Sequence, residues 1–382
     1  MLDPSDPLSQ STQARIGTEI ASFLASKDRA IDAIAQWRPD SAPSQTATQP
    51  SPEFAELAVV RDLVRSTTAG GKRLRPAFAV WGCVAASGVA AVTPAVWTAA
   101  ASLDLLHVSA LVHDDVMDSS DLRRGKPAAH KQFETFHARQ GWSGDAMVFG
   151  RAGAILLGDL LVLWSAEMVD RAGLPAEALN RALPVLHAMR TEVTLGQVLD
   201  VMAQSQPPAG DLGDRVMAAQ RVVEHKSAKY TVQRPLLFGA ALAGASVEVE
   251  AALATYGSAI GRAFQYRDDL LGVFGDEAVT GKPAGDDLRE GKRTLLVAHT
   301  RERLSTSDRG RFDTLFGRPD LDGAGRIELA ELITASGARA DVETMINSLH
   351  DSAIAAISAA PVTDHGRIAL VGLARAAVER TF

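Results

Sequence analysis

The sequence predicts an all-α protein. Three observations carry that expectation. Apolar residues recur at helical spacing over stretches far longer than a strand. Alanine and leucine are abundant while aromatics are only 5% of the chain, a mixture that favours helix over strand. No convincing β-hairpin or Rossmann glycine pattern interrupts the helical stretches.

The elements follow in order. Residues 11–37 read as an amphipathic helix. Residues 38–52 then hold four prolines among Ser, Thr and Gln, the composition of a flexible linker or long exposed loop. The chain therefore divides into an N-terminal helix and linker over 1–52 and one main domain over 53–382. Within the main domain, helical patterns run roughly over 54–68, 76–89, 94–118, 145–171, 176–204, 212–243 and 248–275. The third opens at Thr93-Pro94, a cap followed by a first-turn proline. Shorter helices fill the part after Lys292, and everything after Glu53 reads as one continuous array.

Bulk properties narrow the function. A length of 382 residues suffices for one large domain or two ordinary ones. The formal charge, 39 − 46 = −7, argues against nucleic-acid binding by bulk electrostatics, so anions must be met by a local basic cluster or a metal. The single cysteine, Cys83, excludes an internal disulfide and suits a reducing cytoplasm. Met1 to Gln10 lacks a signal-peptide pattern. Apolar runs are broken at Asp104, His107 and Asp114, so no membrane span is expected.

Two acidic motifs stand out. In Leu111-Val112-His113-Asp114-Asp115-Val116-Met117-Asp118, Asp114 and Asp118 are four residues apart and point within about 40° of each other on one helix face. Carboxylates that close repel unless a cation lies between them, and magnesium takes oxygen ligands while bridging to diphosphate. Asp115 points elsewhere and supports the others. A solvated acidic helix end is the bland alternative, but acids at a helix C-terminus oppose the macrodipole. The loop Asp121-Leu122-Arg123-Arg124-Gly125-Lys126-Pro127 follows, with two guanidiniums suited to diphosphate oxygens or to salt bridges with the aspartates.

The second motif, Phe264-Gln265-Tyr266-Arg267-Asp268-Asp269-Leu270-Leu271-Gly272, also ends an apolar helix. Its position four after Asp268 is Gly272, so it offers no i, i+4 carboxylate pair. Asp268 is expected to face the same cavity as Asp114. Gly281-Lys282-Pro283, Asp286-Asp287 and Gly291-Lys292-Arg293-Thr294 follow, with lysines beside glycines as in phosphate-contacting loops. An early cluster, Gly70-Gly71-Lys72-Arg73-Leu74-Arg75-Pro76, lets backbone and cations approach an anion together.

These pieces, with Leu157-Gly158-Asp159-Leu160, Glu192 to Asp200 and Lys226-Ser227, resemble in order and spacing the trans-isoprenyl diphosphate synthases, the family of farnesyl and geranylgeranyl diphosphate synthases. The resemblance covers roughly Glu53 to Phe382. It implies an isoprenoid synthase helical bundle around a central catalytic cavity. It further implies that Lys72, Arg75 and Arg124 hold the diphosphate of isopentenyl diphosphate, with His107 nearby. Asp114, Asp118 and Asp268 would bind three magnesium ions around an allylic diphosphate. Arg123, Lys226 and Lys282 would grip that leaving group, with Lys292 closing from a loop. Gln197, Ser227 and Gln265 would lie near the allylic cation. A homodimer is implied as well. Two positions depart from the pattern: Gly272 where many relatives carry Asp, and Ser227 where many carry Thr.

The rivals are a class I terpene cyclase and a non-catalytic synthase subunit. A cyclase has no need for a second diphosphate site, and no Asn-Ser-Glu metal motif is present. A non-catalytic subunit usually loses a motif, and here only Gly272 is degraded. For product length, the resemblance places the growing chain along the helix carrying Asp114. Ser109 and Ala110, one turn earlier, are small, which favours geranylgeranyl diphosphate, with a farnesyl or longer-chain polyprenyl product as the alternative. The stretch Asp320 to Glu328 resembles a calcium loop, but Ala324 at its fifth position cannot ligate, and the pattern also fits a helix cap. Cys83, Trp164 and Met168 are expected in the core.

Overall fold

The computed structural model describes residues 2–35, 57–206, 211–275 and 285–379. Its elements are α1 (Gln10–Ala35), α2 (Ala58–Thr68), α3 (Leu74–Ser87), α4 (Pro94–Met117), a minimal ribbon β1 (Leu122–Arg123) and β2 (Lys126–Pro127), α5 (Ala129–Gln140) and α6 (Ala146–Asp170). Next come α7 (Ala176–Ser205), α8 (Leu212–Val222), a π-helical stretch Val223–Gln233, α9 (Arg234–Leu242) and α10 (Val247–Phe274). Beyond α10 the helices are Asp286–Glu290, Leu295–Arg303, Thr306–Leu315, Gly323–Ala335, Ala338–Ser358 and Asp364–Val378. The all-α expectation holds, and the helical patterns fall within a few residues of the observed bounds. The proline-rich stretch assigned to a linker lies outside the described residues, as does Lys282.

The chain divides into two compact units. The first comprises residues 10–76 and 94–174. Its core combines Ile16, Ile20, Leu24 and Ile31 of α1 with Leu105, Val108 and Val112 of α4 and Leu157, Leu161, Trp164 and Met168 of α6. The i, i+4 spacing of Ile16, Ile20 and Leu24 is what turns one face of α1 inward. The second unit comprises residues 1–9, 77–93 and 175–382. Its core gathers Tyr266 and Leu270 of α10 with Leu295, Phe312, Leu329, Ile333, Val342 and Ile346. Cys83 is buried elsewhere in the same unit, and burial pushes its thiol up to about 12.

Local signals explain the boundaries. Asp145 caps α6 by accepting from Met147 N at 2.8 Å, and Ser246 caps α10 through Val249 N at 3.4 Å. Asp211 and Asp214 form a reciprocal capping box at the start of α8. Asp322 caps Gly323–Ala335 by accepting from Gly325 N at 2.8 Å, and Asp320 pairs with Arg318. The calcium-loop resemblance is therefore a helix cap.

Three expectations need correction. The run after α4 is a ribbon, not a plain loop: Leu122 pairs with Pro127 and Arg123 with Lys126. Its turn places Arg124 and Gly125 at positive φ, 52° and 72°, as a two-residue hairpin turn requires. Residues 129–140 form a helix that the periodicity missed, closed by Gly141 in the left-handed conformation. Finally, two helices are long and apolar enough to cross a bilayer by length and composition, α4 and α6. Isolated charges such as Asp104 and Asp159 do not lower the mean hydropathy enough to prevent that. Most of α4 is buried, whereas α6 exposes Val148, Leu156 and Leu163 at 62%, 68% and 65%.

Candidate functional site

In the first unit, Asp118 N donates to Asp114 O at 2.8 Å, which carries the helical turn one residue past Met117. Both half-buried carboxylates thus stay on one face at the end of α4. Asp115 is buried and accepts from Arg123 Nε at 2.9 Å and from its Nη2. The ribbon is what returns Arg123 to α4. Burial pulls the Arg123 pKa down, but the Asp115 hydrogen bond and the charges of Asp115, Asp114 and Asp118 outweigh it and leave the pKa raised. Arg123 is permanently charged beside the acidic pair.

The neighbouring turn aims Arg124 at the glycine pair. Its guanidinium lies so close to Gly71 that a Cβ there would sit 3.1 Å from Nη2. Gly70, Gly71, Asp115, Arg123 and Arg124 line a cavity of about 240 Å³. Arg73 is buried, ion-paired with Asp104, and donates to Thr68 O at 2.7 Å. Burial raises the Asp104 pKa against the opposing pull of Arg73, Arg75 and Arg124. His107 is held well below its usual value by burial, then by Arg75, Arg124, Arg123 and Arg73. Its ring therefore lies in the field of four guanidiniums, of which Arg73 and Arg123 are ion-paired with Asp104 and Asp115. Lys72 is exposed on the adjoining loop.

Arg73 and Asp104 were not among the expected site residues. They are 31 positions apart, and the sequence signals were the place of Arg73 in the early basic cluster and an aspartate interrupting an apolar helix. Ser109 needs a correction too. It is buried and donates to Gly158 O of α6 at 2.8 Å, so it serves helix packing, whereas Ala110 is half-buried. Gly158 has its own reason: a Cβ there would enter the ring of His113, whose Nε2 lies 3.0 Å from Ile155 O.

In the second unit, Lys226 and Ser227 lie on the π-helical stretch. Such stretches are rare and frequent at functional sites. The Lys226 backbone approaches Gly196 of α7 so closely that no side chain would fit there. Lys226 Nζ meets Asp200 at 2.7 Å, and Gln197 lies three residues before that aspartate. Nearby, Glu192 accepts from Lys229 at 3.0 Å and from two nitrogens of Arg234 at 2.7 Å. Ser227 is buried.

On α10, Asp268 is exposed and Asp269 buried. Burial raises the Asp269 carboxyl to about 8, with Asp287 and Asp268 adding to the shift and Gln265 opposing it. Gln265 Nε2 donates to Asp269 Oδ1 at 2.7 Å, so the glutamine side chain is held by its own motif. The space a side chain at Gly272 would claim is filled by the carboxylate of Asp287. Lys292 Nζ lies 3.0 Å from Asp287 and 3.1 Å from Glu290. Sequence reasoning noted Asp286-Asp287 but gave Asp287 no part in the motif, since nothing in the order of residues says that an aspartate of the short helix Asp286–Glu290 returns to α10.

The donors suit magnesium. Among the described residues no three His, Cys, Asp or Glu side chains form a closed metal cage. Magnesium commonly uses one or two carboxylates and takes its remaining ligands from phosphate and water, so the Asp114–Asp118 pair is sufficient protein for it.

The polyprenyl synthetase family model matches residues 58–330. The chain is 34% identical over 317 residues to an octaprenyl diphosphate synthase of Escherichia coli, covering 81% of this chain and 86% of the relative. It is 32% identical over 287 residues to a geranylfarnesyl diphosphate synthase of Aeropyrum pernix, covering 74% and 77%. Among solved structures it resembles a geranylgeranyl pyrophosphate synthase of Corynebacterium glutamicum complexed with isoprenyl diphosphate and magnesium. There the TM-score is 0.87 and the identity 37%, with 100% of both chains covered. With two acidic motifs, their flanking cations and this likeness in sequence and fold, the chain belongs to the polyprenyl synthetase family and is a prenyltransferase.

Proposed function

We propose that the enzyme joins isopentenyl diphosphate head to tail to an allylic diphosphate and that its main product is geranylgeranyl diphosphate. The observation that carries the reading is the adjacency, within one unit, of an i, i+4 carboxylate pair and four guanidiniums around a neutral His107. Condensing two diphosphates calls for separate anion-holding groups, and this unit has both a metal-suited face and a cation cluster. In this reading Arg75, Arg124 and Lys72 bind the isopentenyl diphosphate, with His107 beside them. Arg123, fixed by Asp115, holds the allylic diphosphate, assisted by Lys226, Lys282 and Lys292. Magnesium at Asp114, Asp118 and Asp268, three ions by family likeness, would neutralise charge building on the departing diphosphate.

The chemistry asks no side chain to act as nucleophile. The allylic carbon–oxygen bond breaks and diphosphate leaves with the electron pair. The double bond of isopentenyl diphosphate attacks the allylic carbon, and a proton then leaves, taken up by the diphosphate. Gln197, Ser227 and Gln265 supply oxygen dipoles toward the transient cation, and apolar helix faces exclude water from it.

The twenty-carbon product is supported by the small Ala110 one turn before Asp114 and by the solved relative's name. We further propose a cytoplasmic homodimer. The single buried Cys83 and the exposed apolar face of α6 support the two parts of that statement. Incubation of pure protein with magnesium, isopentenyl diphosphate and farnesyl diphosphate, followed by chromatography of dephosphorylated products, tests the proposal. Geranylgeraniol that disappears with excess chelator is expected. A cyclised hydrocarbon, or no product, refutes it.

A further inference from the structure

The second unit holds a cavity of about 370 Å³ between the end of α7, α8 and the helix Leu295–Arg303. None of the residues assigned to the reaction lines it. Four arginines face it, Arg215, Arg221, Arg293 and Arg301, against one aspartate, Asp214. With Asp214 and the carboxylate partners of two of the arginines counted, the local surplus is one positive charge (4 − 3) in a chain of net charge −7. Two of the guanidiniums have carboxylate partners: Arg215 with Glu302 at 3.1 Å and Arg301 with Asp313 at 2.9 Å. Among the described residues, Arg293 and Arg221 have none, and the contact shown for Arg293 is to Gln204 O at 3.5 Å. Burial, and then the charge of Arg301, lower the Arg293 pKa. Two like charges held together in part-buried space would be relieved by an anion. The rest of the wall is apolar, with Met202, Val297 and Phe316 prominent, and Met202 is 51% exposed.

We propose that this cavity is a second binding site, for a soluble amphiphilic anion: a phosphate or diphosphate ester with an apolar tail. The arginines take the headgroup and the aliphatic and aromatic wall takes the tail. A volume of this size falls in the range of small-molecule pockets. Its position also connects it to the reaction assigned above, and this part rests on that assignment. Arg293 directly follows Lys292, which pairs with Asp287. Gln204, which meets Arg293, also donates to Asp200, the partner of Lys226, at 3.4 Å. An occupant therefore bears on two cations of the leaving-group set.

The test is calorimetric titration of the full chain with decyl phosphate in excess chelator, which removes metal-dependent binding and needs no turnover. Saturable binding is expected, with inorganic phosphate at least tenfold weaker. The double variant Arg293→Gln, Arg301→Gln should lose at least tenfold in affinity. Met202→Trp, which fills the apolar wall and leaves the charges intact, should weaken decyl phosphate but not inorganic phosphate. Arg124→Ala, which weakens the anion site assigned to the other unit, should leave the decyl phosphate binding that depends on Arg293 and Arg301 unchanged, whatever it does to turnover. Each variant is checked by circular dichroism and thermal melting first. Binding that survives both cavity variants, or that is lost with Arg124→Ala, overturns the site. Equal affinity for inorganic phosphate and the ester overturns the amphiphilic ligand. The protein should remain in the supernatant with phosphatidic acid vesicles; capture that the double variant abolishes overturns the soluble ligand.

Discussion

Asp287 and Gly272 act as a pair. The missing side chain of the second acidic motif leaves room, and the carboxylate of Asp287, on the short helix Asp286–Glu290, occupies it one turn along α10 from Asp268. Asp287→Ala should raise the magnesium concentration for half-maximal activity about tenfold, the scale of losing a support for a metal ligand. Gly272→Asp should also impair the enzyme, because two carboxylates would then compete for one volume. The double variant Gly272→Asp, Asp287→Ala should recover much of the loss. Failure of that rescue in a magnesium titration would show that Asp287 does not stand in for the motif's last residue. His107 gives a second prediction at this scale. Its ring is neutral in the fold, while an unfolded histidine takes a proton near pH ~6.5. The stability it allows is thus complete above that pH and falls as the pH drops below it, by about 1.4 kcal/mol per unit. Denaturant titrations at pH 7.5 and 5.5 should show a smaller acid loss in His107→Gln than in the parent chain.

Helices were legible where the sequence punctuates them, as at Thr93-Pro94 before α4. The ribbon was not, because two-residue strands carry no period, and α5 was not, because His, Lys, Gln and Glu dilute its buried Phe133 and His137. The same division holds for the site. Asp114, Asp118, Arg123 and Arg124 announce themselves by local spacing. Arg73–Asp104 and Asp287–Gly272 depend on contacts between distant positions and could not be read from order alone. Ser109 shows the cost of reading a helix face too coarsely: it lies beside Ala110 in sequence yet is committed to α6. Ala110→Phe is therefore the informative variant for product length, and it should shorten the main product by one five-carbon unit while condensation persists. Ser109→Phe should instead unfold or inactivate the protein by forcing α4 from α6. Gly158→Ala tests that same helix pair, since its methyl would collide with the His113 ring and push it off its contact with Ile155 O; a destabilisation of about 1–3 kcal/mol by denaturant titration is expected.

At the scale of the whole molecule, α6 carries an open apolar surface among the described residues. A helix of mean hydropathy 1.8 would ordinarily be buried, yet only 28% of its most apolar window is. Val148, Leu156 and Leu163 are spaced by eight and seven residues, so they fall on one stripe, and the inward stripe carrying Leu157, Leu161 and Trp164 is already spent on the core. Contiguous exposed apolar surface of this kind marks an interface, and in a homo-oligomer a two-fold axis lets the same helix face itself. Light scattering of the parent chain should give twice the mass of the 40.4 kDa polypeptide. Leu156→Glu with Leu163→Glu places four like charges across such an axis and should yield a monomer at micromolar concentration, with the circular dichroism of α-helix retained. A parent chain that is already monomeric, or a double variant that remains a dimer, would remove α6 from the interface. A variant that associates with vesicles less than the parent does would point to a bilayer in place of a second copy.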